Sequence, residues 1–207
     1  MQAELDGLIC SGPKRGKQFT YALLDERVRK SARISREEAL KKITLRYFTS
    51  HGPAQQKDFS WWSGLAEKDA ENAIELIGSH LDRKIVNGKE YWFAPREPGE
   101  IPDPPTALLL SVYDEYTIAY KDRSDLSEAR EIERMIARGN SFPAVLILDG
   151  KVAGTWNKRM KSQALEIRLD PFRILDDEEQ EAVEAEASRY GRFFGVPVIF
   201  VMEPFGR

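Results

Sequence analysis

Between Ser35 and Phe93 apolar residues recur at every third or fourth position through three blocks, then give way to a short alternating pattern. In the first block Ser35 precedes Glu38 by three residues, the reciprocal pairing that satisfies two orphan amides at a helix start. Leu40, Ile43 and Tyr47 then share one face, and Gly52-Pro53 ends the block. There Gly52 is expected to take a left-handed cap and Pro53 the first turn of the next helix. The second block is short, carries Phe59 and Trp62, and breaks at Ser63-Gly64. In the third, running from Glu67 to Ser79, Ala70, Ala73, Ile74 and Ile77 fall at helical spacing. Ile85-Val86, Asn87-Gly88 and Glu90 to Phe93 then spell a hairpin, because Asn-Gly readily adopts the positive φ angles of a type I′ turn. Helix, helix, glycine turn, helix, hairpin is the order of a winged helix-turn-helix, a motif used mostly for nucleic acids.

The flanking sequence divides naturally. Residues 1–30 read as a strand, a basic turn and a second strand with no helices before them, the wing of a preceding winged helix whose helices the chain lacks. Residues 35–94 form the winged helix-turn-helix, and 95–106 a stiff linker with six prolines and glycines. Residues 107–207 read as a mixed α/β unit. Within it Leu108 to Val112 suits a strand, and Asp125 to Arg138 a helix. Ala144 to Leu148 and Val152 to Trp156 suit a hairpin about Asp149-Gly150. Asp176, with Glu179 three residues on, begins a helix that presents Val183, Ala187, Tyr190 and Phe194 on one face, and Val198 to Val201 closes the chain as a strand. The fold class is therefore α+β: a winged helix-turn-helix followed by a β-rich, barrel-like C-terminal unit with helices.

Charge complicates the nucleic-acid reading. Among 207 residues, 31 are basic and 34 acidic, giving a net charge of −3. The third helix, which would be the reading helix of a simple winged helix, carries Glu67, Asp69, Glu71 and Glu75 against Lys68, and acidic groups repel phosphates. It suits a scaffold or a protein-partner surface better than a DNA groove. Positive charge gathers instead at two expected hairpin tips, Lys14, Arg15 and Lys17 in the first and Lys158, Arg159 and Lys161 in the second. Long cations there can meet a phosphate backbone with salt-dependent, sequence-blind affinity. Lysine-rich tips that merely keep sheet edges from pairing are an equally open reading.

Other chemistry is sparse. One cysteine, Cys10, excludes an intrachain disulfide, and it reads as an inert buried thiol. With His51 and His80 the only histidines, neither metal nor cofactor is expected. His51 reads as a capping or surface group at a helix junction, and His80 suits a negative helix end. Asp114 and Glu115 would point to different faces of any regular element. They read as anchors paired with Arg123 and tyrosine hydroxyls, or alternatively as a polar patch toward DNA. The loop from Ser11 to Lys17 lacks the Gly-Lys-Ser/Thr ending of a nucleotide-binding loop. Phe59 and Trp62 suit a core contact, whereas Trp61 and Trp62 diverge by about 100° and cannot form one stacking platform. No apolar run nears the roughly 18 residues of a membrane span. Glu4 and Asp6 interrupt the first apolar residues, so the start is unlike a secretory signal.

Several segments together resemble the bacterial winged-helix proteins of the AlkZ-type DNA glycosylase family. They are Leu5 to Pro13, Phe19 to Arg27, His51-Gly52-Pro53-Ala54, Asp58 to Leu65, Tyr113 to Tyr116 with Tyr120 to Arg123, and Asp149-Gly150 with Gly154-Thr155-Trp156. The resemblance runs collinearly along nearly the whole chain. It implies tandem winged helices about a β-rich C-terminal unit, DNA repair as the setting, and duplex DNA as the partner. Family members excise alkylated bases and unhook interstrand crosslinks with a glutamine, one spacer, then glutamine or aspartate, in an N-terminal winged helix. That region would precede everything here, so no position inherits it. Gln2-Ala3-Glu4 and Gln55-Gln56 only mimic the pattern.

The expectation is thus a cytoplasmic, nucleoid-associated DNA-binding protein that holds duplex DNA through the six basic residues, without catalysis on its own. A protein-interaction module using the acidic helix and the wing is the alternative, and an active glycosylase a further one.

Overall fold

The computed structural model describes residues 2–29, 33–95, 99, 102–128, 133 and 143–205. The chain forms two units, residues 1–40 and 41–207, each described by itself.

In the first unit a one-turn helix α1 (Gln2–Leu5) precedes the antiparallel strands β1 (Ile9–Ser11) and β2 (Tyr21–Leu23), and another single turn, α2 (Leu24–Arg27), follows them. A helical turn therefore does stand before the hairpin, contrary to the sequence reading, because Gln2 Nε2 reaches Asp6 Oδ1 at 2.9 Å and closes that turn locally. The tip is tightened by Gly12 N–H donating to Thr20 O at 2.7 Å and by the Thr20 hydroxyl donating to Pro13 O at 2.6 Å. No described residue from 2 to 29 is buried, and Cys10 is only half-buried.

Helix α3 (Arg36–His51) starts as its capping box requires: Ser35 N–H donates to Glu38 Oε2 at 2.9 Å, and Glu38 N–H donates to Ser35 Oγ at 3.1 Å. It is followed by α4 (Gln56–Ser63), which ends at left-handed Gly64, and by α5 (Glu67–Ile77), which buries Ala70, Ala73, Ile74 and Ile77. Strands β3 (Asp82–Val86) and β4 (Lys89–Phe93) pair antiparallel about Asn87-Gly88, both with positive φ. Gly52 is not in the left-handed region. Glycine is needed there for space instead: a Cβ would lie 2.4 Å from Phe48 O and 2.9 Å from Phe93 Cα. Pro53 lies outside any helix, because the next residue, Ala54, bridges to Trp92 of β4 and keeps the chain extended until α4 begins.

The remainder is an open five-stranded sheet: β5 (Ala107–Leu110), β6 (Val145–Leu148), β7 (Lys151–Met160), β8 (Leu165–Pro171) and β9 (Val198–Met202), in that order. Its described strands do not close into a barrel, since β5 and β9 stand at opposite edges. A short helix α6 (Glu115–Ile118) follows β5, and the long α7 (Asp177–Phe194) joins β8 to its parallel neighbour β9. Asp176 caps α7 by accepting Glu179 N–H at 2.9 Å, and left-handed Gly195 ends it. On one face of the sheet Leu146, Leu148, Trp156, Leu165, Ile167 and Leu169 pack with Val183 and Ala187 of α7. On the other Val145, Ile147 and Val152 pack with Phe172. Most of the helix expected over Asp125 to Arg138, and the centre of the proline-rich stretch, lie outside the described residues.

Candidate nucleic-acid interface

Lys14, Arg15 and Lys17 occupy the β1–β2 tip, where the sequence placed them, and all three are exposed. An isolated bridge between Arg15 and Gln18 narrows that tip, and the Lys14 ammonium lies 4.9 Å from the centre of the Phe19 ring. The cations are thus carried on a braced loop.

The second basic group is arranged differently from the sequence reading. Lys158 and Arg159 are not in a loop but in β7, paired with Ile167 and Glu166 of β8, and the ladder continues to Met160 opposite Leu165. The strand is longer because β8 alternates buried Leu165, Ile167 and Leu169 under α7, and β7 must supply rungs along that whole length. Successive rungs face opposite sides, so Lys158 and Arg159 diverge. Lys158 lies over the Tyr190 ring at 4.8 Å and the Phe194 ring at 5.2 Å, and its ammonium donates to the Tyr190 hydroxyl oxygen. Such a lysine covers apolar rings with its stem while its charge stays in water. Lys161, beyond the strand, sits 3.2 Å from Glu166, which also holds Arg168 at 3.0 Å. Those two cations hold the Glu166 carboxyl below its ordinary range.

Sequence reasoning missed a densely bonded place in the second unit, the joint between the three helices and the sheet. His51 is not a surface group: it stacks on Tyr47 with ring centres 4.9 Å apart, and its Nε2 lies 3.3 Å from Glu115. Glu115 also accepts the Trp62 indole N–H at 3.0 Å, and the Trp61 indole donates to Ile118 O at 3.1 Å. Tyr47 lies 5.2 Å from Phe59 and 5.0 Å from Trp62, so it is the hub of the aromatic cluster. Asp114 caps α6 by accepting Tyr116 N–H at 3.0 Å, and Arg123 donates from Nε to Thr117 O at 2.7 Å. Asp58, fully buried, accepts N–H groups from Lys121 at 3.0 Å, Asp122 at 3.1 Å and Gln55 at 2.9 Å.

A cleft of ≈ 360 Å³ opens beside this joint, lined by His51, Tyr91, Tyr116, Tyr120, Asp122 and Asp125 among others. Burial pushes the Tyr120 phenol up to about 12, with neighbouring acidic groups adding to the effect. Burial and a 2.5 Å hydrogen bond to Asp125 do the same for Tyr91, also to about 12. Asp122 is held well below the carboxylate range, first by the Ser124 hydroxyl at 2.6 Å and then by Lys57 at 2.9 Å and Lys89 at 3.2 Å. A carboxyl so depressed is a fixed anion, suited to bracing rather than to proton transfer. Among the described residues no group of three or more His, Cys, Asp or Glu side chains gathers to hold a metal.

The glutamines that mimic a catalytic pair do structural work. Gln2 bonds Asp6 at 2.9 Å, Gln55 Nε2 donates to Asp122 at 3.3 Å, and Gln56 Nε2 donates to Glu67 O at 3.2 Å. His80 Nδ1 meets Ile77 O at 2.9 Å at the end of α5, the capping place its position suggested.

Against this geometry, the family described as "DNA glycosylase AlkZ-like" matches residues 1–193. The chain belongs to that family. An AlkZ-like relative, the interstrand DNA cross-link repair glycosylase of Streptomyces sahachiroi, is 25% identical over 199 residues, covering 92% of this chain and 53% of the relative. The solved structure of the DNA glycosylase AlkZ from the same organism superposes with a TM-score of 0.74 at 23% identity, covering 94% of this chain and 55% of the other. The AlkZ-like fold is thereby shared, and the chain spans about half the length of these relatives. Among the described residues no helix is long and apolar enough to cross a membrane.

Proposed function

We propose that this AlkZ-like chain binds duplex DNA through the phosphate backbone, using Lys14, Arg15 and Lys17 on one hairpin and Lys158, Arg159 and Lys161 on another. The family match over residues 1–193 carries the reading. The exposed cations of the two hairpins supply the chemistry, since sequence-independent affinity rises with each phosphate neutralised. In this reading α3, α4, α5 and the β3–β4 hairpin form a winged helix-turn-helix over residues 35–94. It is supported by the Ala54–Trp92 bridge, which adds a third extended segment to the wing. Residues 1–30 act as the wing of a further such module, 95–106 as the linker and 107–207 as the sheet unit, and the protein resides with the nucleoid in the cytoplasm.

The chain by itself positions DNA and does not excise bases. The relative is by its name a cross-link repair glycosylase, and the glutamines here that mimic a catalytic pair, Gln2, Gln55 and Gln56, are tied up in hydrogen bonds near helix ends. Fluorescence anisotropy of a labelled duplex, titrated at several salt concentrations, tests the binding. Affinity that falls steeply with salt and drops when the six cations become alanine is expected. Binding to no duplex at low salt overturns the reading and favours a protein partner at the acidic face of α5. Release of an alkylated base by the purified chain overturns the non-catalytic part.

A further inference from the structure

The last turn of α7 carries a feature the backbone-binding reading does not use. Val183, Ala187, Tyr190 and Phe194 follow the sheet-facing stripe, but Phe193, about 100° away from its neighbour, leaves it and is 84% exposed. A single exposed apolar side chain is ordinary. This one is distinguished by its setting. Its ring packs edge-on against Phe194 with centres 5.3 Å apart, Phe194 lies against Tyr190 at 5.4 Å, and Lys158 sits over both lower rings. The stack is anchored in the core, because Tyr190 meets buried Trp156 at 5.2 Å. Met160, two rungs along the same face of β7, is also exposed. Charge along α7 is segregated as well: its acidic residues run from Asp177 to Glu186, and beyond them come Arg189, paired with Glu186 at 2.5 Å, and exposed Arg192.

We infer that Phe193 is an apolar wedge that enters a base step of duplex DNA whose backbone is held by Lys158 and its neighbours, an inference that rests on the DNA-binding reading above. An aromatic side chain that leaves water for a base stack gains both burial and a stacking partner. Proteins that grip the backbone with cations commonly use such a wedge to unstack a step. The cations beside the ring favour a polyanion over a neutral or basic protein surface, and the edge contact with Phe194 ties the Phe193 ring to the supporting stack.

The test uses the full chain and a duplex with 2-aminopurine at its central step, read by anisotropy for binding and by 2-aminopurine emission for unstacking. Wild type is expected to bind and to raise the emission. Phe193→Ala should bind about tenfold more weakly without the rise, and Phe193→Trp should restore both. Since Phe193 is exposed, circular dichroism of both variants should match wild type. Salt-sensitive binding with emission and affinity unchanged in Phe193→Ala overturns the wedge while leaving the backbone reading intact. Failure of wild type to bind any duplex overturns both. A wild-type dimer in sedimentation that Phe193→Ala converts to monomer shows a contact between copies instead, and overturns the wedge.

Discussion

Asp58 and Asp122 are bound to each other through the backbone: the N–H of Asp122 donates to Asp58 Oδ1 at 3.1 Å, across 64 positions of sequence. The carboxylate on α4 thereby fixes the start of the segment whose own carboxylate then gathers Lys57, Lys89 and Ser124. One acid organises the chain and the other organises side chains around it, and together they tie the helices to the sheet.

Replacing Asp58 by alanine strands three partly buried N–H groups. The expected cost is on the order of 3 kcal/mol. Urea unfolding of Asp58→Ala should show a midpoint shift with little change in slope. An unchanged midpoint would mean that the joint contributes nothing to stability.

Asp122 predicts the acid limb. Its folded pKa is depressed, so the unfolded chain binds a proton first as pH falls. The stabilisation is complete above the ordinary value of 3.8 and is lost as pH drops below it. Asp122→Asn should be less stable than wild type at pH 7, and the gap should narrow between about pH 4 and 2. Tyr91 and Tyr120 predict the opposite limb. Their folded values are raised to about 12, so stability falls as pH rises above the ordinary phenol value of 10.0. Tyr91→Phe should flatten that fall, as read from thermal midpoints.

Gly52 tests space rather than backbone freedom. A methyl group there meets Phe48 O and Phe93 Cα well inside contact distance, so Gly52→Ala should cost about 1–3 kcal/mol. Were Gly52 only a flexible hinge, the substitution would be neutral or slightly stabilising.

Glu166 restrains Lys161, one of the six cations proposed to hold DNA. It holds Lys161 and Arg168, and its removal should free Lys161 for a phosphate. Glu166→Gln is expected to tighten duplex binding at low salt and steepen the salt dependence by about one counterion. Affinity equal to or below wild type would indicate that Lys161 lies off the DNA path.

What could be read from the sequence was local chemistry. Ser35 with Glu38, Asp176 with Glu179, Asn87-Gly88, Asp149-Gly150, Gly64 and Gly195 all do what their residue types dictate, because the partners lie within a few positions. What escaped depends on distant partners. Lys158 and Arg159 read as loop residues until β8 and α7 require β7 to extend beneath them. His51 read as a surface group because Glu115 lies 64 positions away. Gly52 suggested a cap, and only the approach of Phe93 shows why the side chain is missing. The six cations were visible as charges, but the rings and carboxylates that restrain Lys158 and Lys161 were not.

The Asp58–Asp122 tie also bears on how such a protein can be rearranged over evolutionary time. The proline-rich stretch after Ala94 invites recombination, since among the described residues a crossover there would interrupt no strand or helix. A chimera made at that point would keep Asp58 on one parent and receive the backbone of residues 121 and 122 from the other. Because a main-chain amide does the bonding at position 121, almost any residue can stand there, whereas position 122 must also keep the carboxylate that gathers Lys57, Lys89 and Ser124. The joint therefore tolerates sequence drift at position 121 and almost none at Asp58 or Asp122, and exchange of modules should succeed between parents that share both aspartates.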